Sequence, residues 1–190
     1  MLNILLMRIR YKLDPGVLLR NLRFFCQTRD LSHWLFGGGF ILIMGTIGFF
    51  IVSSIAGSEI SRELNCLTLN IYHEARGEPT AGKYAVGRVT LNRVNSRHYP
   101  DTICEVVYQK RWDTIRKRYV GAFSWTEIGR PPTLEPKAWE QAIKIAEDVY
   151  YQRLPYQVGQ ALFYHADHIR PSWARKKTRV AKIGRHIFYN

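Results

Sequence analysis

The stretch Leu64-Asn65-Cys66-Leu67-Thr68-Leu69-Asn70-Ile71-Tyr72-His73-Glu74-Ala75-Arg76-Gly77-Glu78-Pro79 joins a helical stripe to a helix stop. Ile60, Leu64, Leu67 and Ile71 recur at i, i+4, i+7 and i+11, which predicts a helix from about Ser58 to Ala75. Gly77 and Pro79 end it. Glu74 follows Ile71 by three residues, so an acid continues the apolar stripe at the C-terminal end of the helix. Burial and the negative helix pole both disfavour a carboxylate there, and both raise its pKa. The plainer alternative is a buried acid paired with Arg76, Arg88 or Arg93.

Upstream, residues 31 to 58 carry no Asp, Glu, Lys or Arg. Trp34 to Ala56 is an apolar run of 23 residues, about 35 Å of helix against a hydrocarbon core of about 30 Å. A buried core helix of this length would show one polar face, and this run shows none. Residues 1–33 hold Arg8, Arg10, Lys12, Arg20, Arg23 and Arg29 against Asp14 and Asp30. The excess of positive charge predicts a cytoplasmic N-terminal segment over 1–33, a signal-anchor helix over 34–56 and an extracytoplasmic domain over 57–190. Ser54-Ile55-Ala56 would also pass as a cleavage site, but 33 residues is long for the basic region of a signal peptide. Val17, Leu18, Leu22 and Phe25 alternate with Arg20 and Arg23, a rhythm that could lie on the inner leaflet.

Of the 190 residues, 28 are basic and 15 acidic, a net charge of +13. Hydrophobic residues at 46% and aromatics at 13% exclude a disordered chain. Three cysteines are too few for a disulfide scaffold. Such charge first suggests nucleic acid. Its distribution argues otherwise, because residues 59–190 hold 22 basic and 13 acidic residues on the side of the membrane where nucleic acid is not expected. An anionic partner on the outer side is the better match.

The outer domain reads as α+β. A second helix runs from Pro79-Thr80 to about Asn95. Thr102-Ile103-Cys104-Glu105 is a capping box that opens a third. Pro136 opens a fourth, with Trp139, Ala142, Ile143, Ala146, Val149 and Tyr150 on one face. Ala161 to Ala166 reads as a strand. Val180–Ile183 and His186–Tyr189 flank Gly184-Arg185 as a hairpin.

Several chemistries fail on spacing. A zinc-protease motif would need His at position 77, which is Gly. His165 and His168 have no cysteine near them, so neither a metal nor a cofactor is expected. Ser124 lacks a nucleophile-elbow context. Glu74 remains as the acid–base candidate. It lies where a helix ends against a small β region with Tyr, Trp and His downstream, residues suited to sugar rings, as in lysozyme-type sites.

The outer domain resembles the bacterial cell wall hydrolases typified by the spore cortex-lytic enzymes. The resemblance is carried by Asn70 to Pro79, Ala85-Val86-Gly87, Leu91 to Val94, Tyr99 to Cys104, Val106 to Gln109, Phe123-Ser124-Trp125, Ala161 to Ala166 and Ile183 to Tyr189. It implies a lysozyme-like α+β fold, mostly helical with a small sheet or hairpin region, that cleaves peptidoglycan glycan strands. It implies Glu74 as the catalytic residue, with Tyr72, His73, Phe123, Ser124, Trp125, Tyr164 and His165 as substrate-binding residues. In the spore members one Glu protonates the glycosidic oxygen. It then deprotonates the muramic acid C6 hydroxyl, which closes an anhydro ring. A two-carboxylate glycosidase would need a partner acid about 5–9.5 Å away. Glu78 is the nearest in sequence, and its place is expected at the start of the second helix, where the dipole favours a carboxylate. Lys83, Ala122 and the basic stretch between Gln109 and Gly121 depart from the family pattern.

Cys66 and Cys104 both fall outside the membrane, where a disulfide is allowed and two buried thiols would look the same. Cys26 falls on the inner side. The alternatives to an anchored glycan-cleaving enzyme are an inactive wall-binding module of the same fold, or a phage enzyme of lysis or wall penetration.

Overall fold

The computed structural model describes residues 19, 20, 23, 31–114, 116–128, 134–153 and 158–190, with backbone alone for 31–36. The rhythm of Val17, Leu18, Leu22 and Phe25 lies outside the described residues, as does Cys26. The chain divides into two compact units, Met1–Ala56 and Gly57–Asn190.

Helix α1 spans Leu31–Ala75 without a break, so the expected new start near Ser58 is not there. One glycine costs a helix only about 1 kcal/mol, and no proline falls in this span. Ser61 Oγ donates to the Gly57 carbonyl at 2.9 Å, a bond made within the helix rather than as a cap. In the first unit Phe40, Ile41, Leu42, Phe49, Phe50 and Val52 are all exposed. The helix is long and apolar enough to cross a membrane, and none of its apolar stretch is buried among the described residues.

In the second unit the buried residues of α1 are Glu63, Cys66, Leu67, Thr68, Asn70, Ile71, Tyr72 and Ala75, and Ile60 is exposed. Helix α2 (Thr80–Val94) is buried over most of its length. Its Leu91 packs with α1, α3 (Ile103–Val107) and α4 (Pro136–Tyr150) in one core. Its Ala85, Val86 and Val89 pack with Ala75, Val158, Ala161 and Phe188 in a second. Gly87 lets the helices approach, since a Cβ there would lie 2.9 Å from Ile71 Cδ1 and 3.3 Å from Val149 Cγ2.

Helix α3 starts as its capping residues predict, with Thr102 Oγ1 accepting the Glu105 N–H. Its first turn is also held from α1. Glu63 Oε2 accepts the N–H groups of Ile103 and Cys104, and Cys66 and Cys104 form a disulfide. On α4 the buried face is Ala142, Ile145, Ala146 and Val149, while Ile143 is exposed. Ala142, Ala146 and Val149 are as expected, Trp139 and Tyr150 pack partly buried on the same core, and Ile145 takes the place of Ile143.

Among the described residues five strands form two small sheets. β1 (Lys110–Asp113) and β2 (Arg118–Gly121) make an antiparallel hairpin from the basic stretch, for which the residues predict no element. β3 (Phe163–Ala166), β4 (Arg179–Ile183) and β5 (His186–Tyr189) form an antiparallel sheet in the order β3-β5-β4. The fold is α+β, mostly helical, and its C-terminal hairpin falls where Gly184-Arg185 predicts it.

Candidate active site

Glu74 stands one residue before the end of α1, and β3 crosses it. The Tyr164 hydroxyl donates to Glu74 Oε2 at 3.0 Å. Side chains alternate along a strand, so Tyr164 shares a face with its cross-strand partner Phe188 and with His186. That face covers the second core. Of the three arginines considered as partners, Arg93 is the one whose charge bears on Glu74. Its Nε donates to the Leu162 carbonyl at 2.9 Å, tying the end of α2 to the start of β3.

Burial pushes the Glu74 carboxyl above the ordinary glutamate range, while the Tyr164 hydrogen bond and the Arg93 charge partly oppose it. Burial, with Glu74 alongside, raises the Tyr164 hydroxyl well above its usual value. Tyr164 is therefore a neutral donor, and Glu74 keeps its proton to higher pH than an exposed glutamate does.

The second wall of the site is aromatic. His73 stacks on Trp125 with ring centroids 4.6 Å apart and planes at 22°. Burial and then the Arg76 charge lower the His73 pKa, which favours the neutral ring. The Trp125 indole N–H donates to Asn70 Oδ1 at 3.1 Å, and Asn70 Nδ2 donates to Thr90 Oγ1 at 3.0 Å. This buried chain from α1 and α2 fixes the indole. Nothing in the sequence singles out Asn70 for that task, because a polar residue within the helix reads as an exposed one.

Of the expected substrate contacts, His73, Ser124, Trp125 and Tyr164 lie in the segments beside Glu74, with Ser124 exposed. Tyr72 and Phe123 lie in the core. Tyr72 is fully buried and its hydroxyl accepts the Glu135 N–H at 2.9 Å, while Phe123 is buried in the same core. His165 lies on the other face of β3, where it stacks on Tyr189 at 5.3 Å and bonds its hydroxyl at 3.0 Å. Among the described residues no group of three or more His, Cys, Asp or Glu is placed to hold a metal ion.

Glu78 packs against the first turn of α2, as expected, since a Cβ at Gly82 would lie 3.1 Å from Glu78 Cβ and 3.5 Å from its Oε2. Its Oε2 accepts the Arg185 N–H at 2.8 Å, latching the β4–β5 turn to the loop after α1. The turn closes over it at Gly184, whose φ is +57° and whose Cβ, if present, would lie 2.1 Å from Glu78 Oε2 and 2.9 Å from Pro79 Cδ. Gly184→Ala is expected to cost about 2 kcal/mol, from the left-handed backbone and the displaced carboxylate together. A thermal melt would show it, and an unchanged midpoint would mean the turn is loose.

Residues 77–189 match the model of the Cell Wall Hydrolase family. The chain belongs to this family. The match begins three residues after Glu74 and takes in every element from α2 to β5. Among curated proteins, the spore cortex-lytic enzyme of Oceanobacillus iheyensis is 34% identical over 119 residues, 62% of this chain and 38% of the relative. That of Bacillus subtilis is 24% identical over 139 residues, 73% of this chain and 41% of the relative. The chain thus spans about two-fifths of the length of these relatives. Among solved structures, the catalytic domain of the germination-specific lytic transglycosylase SleB from Bacillus anthracis is 30% identical. It aligns with a TM-score of 0.52 over 67% of this chain and 93% of that one. The catalytic domain of Bacillus cereus SleB gives 29% and 0.51, over 68% and 91%.

Proposed function

We propose that this cell wall hydrolase cleaves the glycan strands of peptidoglycan outside the cytoplasmic membrane, with Glu74 as its one acid–base group. The observation that carries this is the Glu74–Tyr164 pair, a carboxyl whose raised pKa suits proton donation and whose orientation a buried phenol sets. In the first step the Glu74 proton passes to the glycosidic oxygen as the C1–O bond breaks. In the second the Glu74 carboxylate takes the proton of the muramic acid C6 hydroxyl, whose oxygen bonds to C1. The proton balance closes within the sugar and Glu74, and no water is consumed. The commitment of the Glu78 carboxylate to the Arg185 N–H favours this one-acid route over a two-carboxylate one.

The apolar part of α1 serves as a single-pass anchor, with residues 1–33 inside and 57–190 outside. The Cys66–Cys104 disulfide supports that orientation, because such bonds persist in oxidising compartments. The partners are then the membrane and peptidoglycan, without nucleic acid.

Incubation with purified sacculi followed by mass spectrometry tests the proposal. Anhydro-ended muropeptides are expected. Reducing ends would replace the ring closure by hydrolysis, and binding without soluble fragments would make the protein a wall-binding module.

The pH profile tests the Tyr164 contact. A donor to the carboxylate favours the charged form, so Tyr164→Phe moves the Glu74 pKa further up. The acid form then survives to higher pH, and the alkaline limb of the rate profile shifts upward. The maximal rate is expected to fall about 10–100-fold with the loss of a charged hydrogen bond. A lower rate with an unmoved limb would leave Tyr164 as packing alone.

A further inference from the structure

The basic hairpin β1–β2 is unused by the reaction above. Its register sets Trp112 opposite Tyr119. The two rings meet edge to face at 5.2 Å, yet Trp112 is 55% exposed and Tyr119 64%. A two-stranded sheet bearing two open aromatics is marginal by itself, and this one is held at its base. Glu127 Oε1 accepts the Gly121 N–H at 2.7 Å, and Arg118 donates to Glu127 Oε2 at 3.3 Å. The Gln109 carbonyl accepts the Ala122 N–H at 2.8 Å. Glu127 belongs to the same 3₁₀ turn, Ser124–Glu127, as Trp125, which stacks on His73 beside Glu74. The hairpin and the aromatic wall of the site are thus one braced unit.

Its charge is strongly one-sided. Lys110, Arg111, Arg116, Lys117 and Arg118 are all exposed. Arg116 pairs with Asp113 at 3.8 Å and Arg118 with Glu127 at 3.3 Å. Five cations against these two acids leave a positive surface around the aromatic pair.

We propose that the hairpin is a docking surface for the peptidoglycan strand beyond the cleaved bond. Trp112 and Tyr119 stack on its sugar rings, and Lys110, Arg116 and Lys117 meet the free carboxylates of its peptide stems. Open aromatic faces suit sugar rings, the positive charge complements the stems, and the bracing through Glu127 makes the surface continuous with the site. The inference rests on the proposed function for the identity of the strand.

The test uses the full chain carrying Glu74→Gln, so that binding is read without cleavage. It is kept in detergent and pelleted with purified sacculi over a range of salt. Lys110→Gln/Arg116→Gln/Lys117→Gln is expected to weaken binding about tenfold and flatten its salt dependence. Trp112→Ala/Tyr119→Ala is expected to weaken it about tenfold with the salt dependence kept. Sacculi whose carboxylates have been converted to amides should reproduce the charge effect on the unaltered hairpin, which guards against misfolded variants. Unchanged binding in all three arms overturns the proposal. So does a loss seen only with anionic phospholipid vesicles, which would assign the surface to lipid headgroups. Because no arm depends on turnover, failure here is distinct from failure to release fragments.

Discussion

Glu74→Gln is expected to lower fragment release from sacculi by about 10²–10⁴-fold or more, the range for loss of a general acid. The fold should survive. Gln is isosteric with Glu, and its side-chain carbonyl can still accept from the Tyr164 hydroxyl, which bonds Glu74 at 3.0 Å. Stability gives an independent reading. The folded state raises the Glu74 pKa, so folding gains from this group below its unfolded pKa. That gain is lost as pH rises through the folded value. Gln behaves like the protonated form at every pH. The variant should therefore match the parent in acid and become the more stable of the two as pH rises. An active variant would remove Glu74 from the mechanism. An inactive one that melts earlier at every pH would make Glu74 a structural residue.

Loss of the Cys66–Cys104 bond is expected to have the largest effect on stability. It closes a separation of 38 residues, and loop-closure entropy assigns such a cross-link about 4 kcal/mol. For a unit of this size that is a fall of roughly 10–20 °C in the melting midpoint. Glu63 will hold part of the contact. It stands one turn before Cys66 on α1 and binds the same end of α3 through the Ile103 and Cys104 N–H groups. Melting with and without reductant, alongside a Cys66→Ala/Cys104→Ala chain, would measure the bond. A midpoint unmoved by either treatment would show that Glu63 and the core suffice.

What the residues made legible follows from how each signal arises. Glu74 stood out because the Leu67–Ile71 spacing, Gly77 and Pro79 are local marks of a helix face and a helix end. The β4–β5 turn was equally local. Asn70 and Glu63 were not legible, since their partners Trp125 and Ile103 lie 55 and 40 residues away. Tyr164 and His165 are neighbours on one strand, and only the register with β5 decides which of them faces Glu74. On α4 the burial of Ile145 rather than Ile143 is a choice of angle that α1 and α2 make. The β1–β2 hairpin escaped because Lys and Arg fall on both its faces, which erases the alternation that marks a strand.

The strand order has a consequence for the timing of activity. β5 follows β3 and β4 in the chain yet lies between them. The strand carrying Tyr164 therefore has no sheet partner until residues 186–189 have been made. The latch from Glu78 also waits for Arg185, 107 residues later. A chain made N-terminus first therefore holds Glu74 well before the Tyr164 hydroxyl is placed beside it. The Glu74–Tyr164 pair is thus complete only when the last hairpin arrives, and the cleavage proposed for it would wait for completion of the domain.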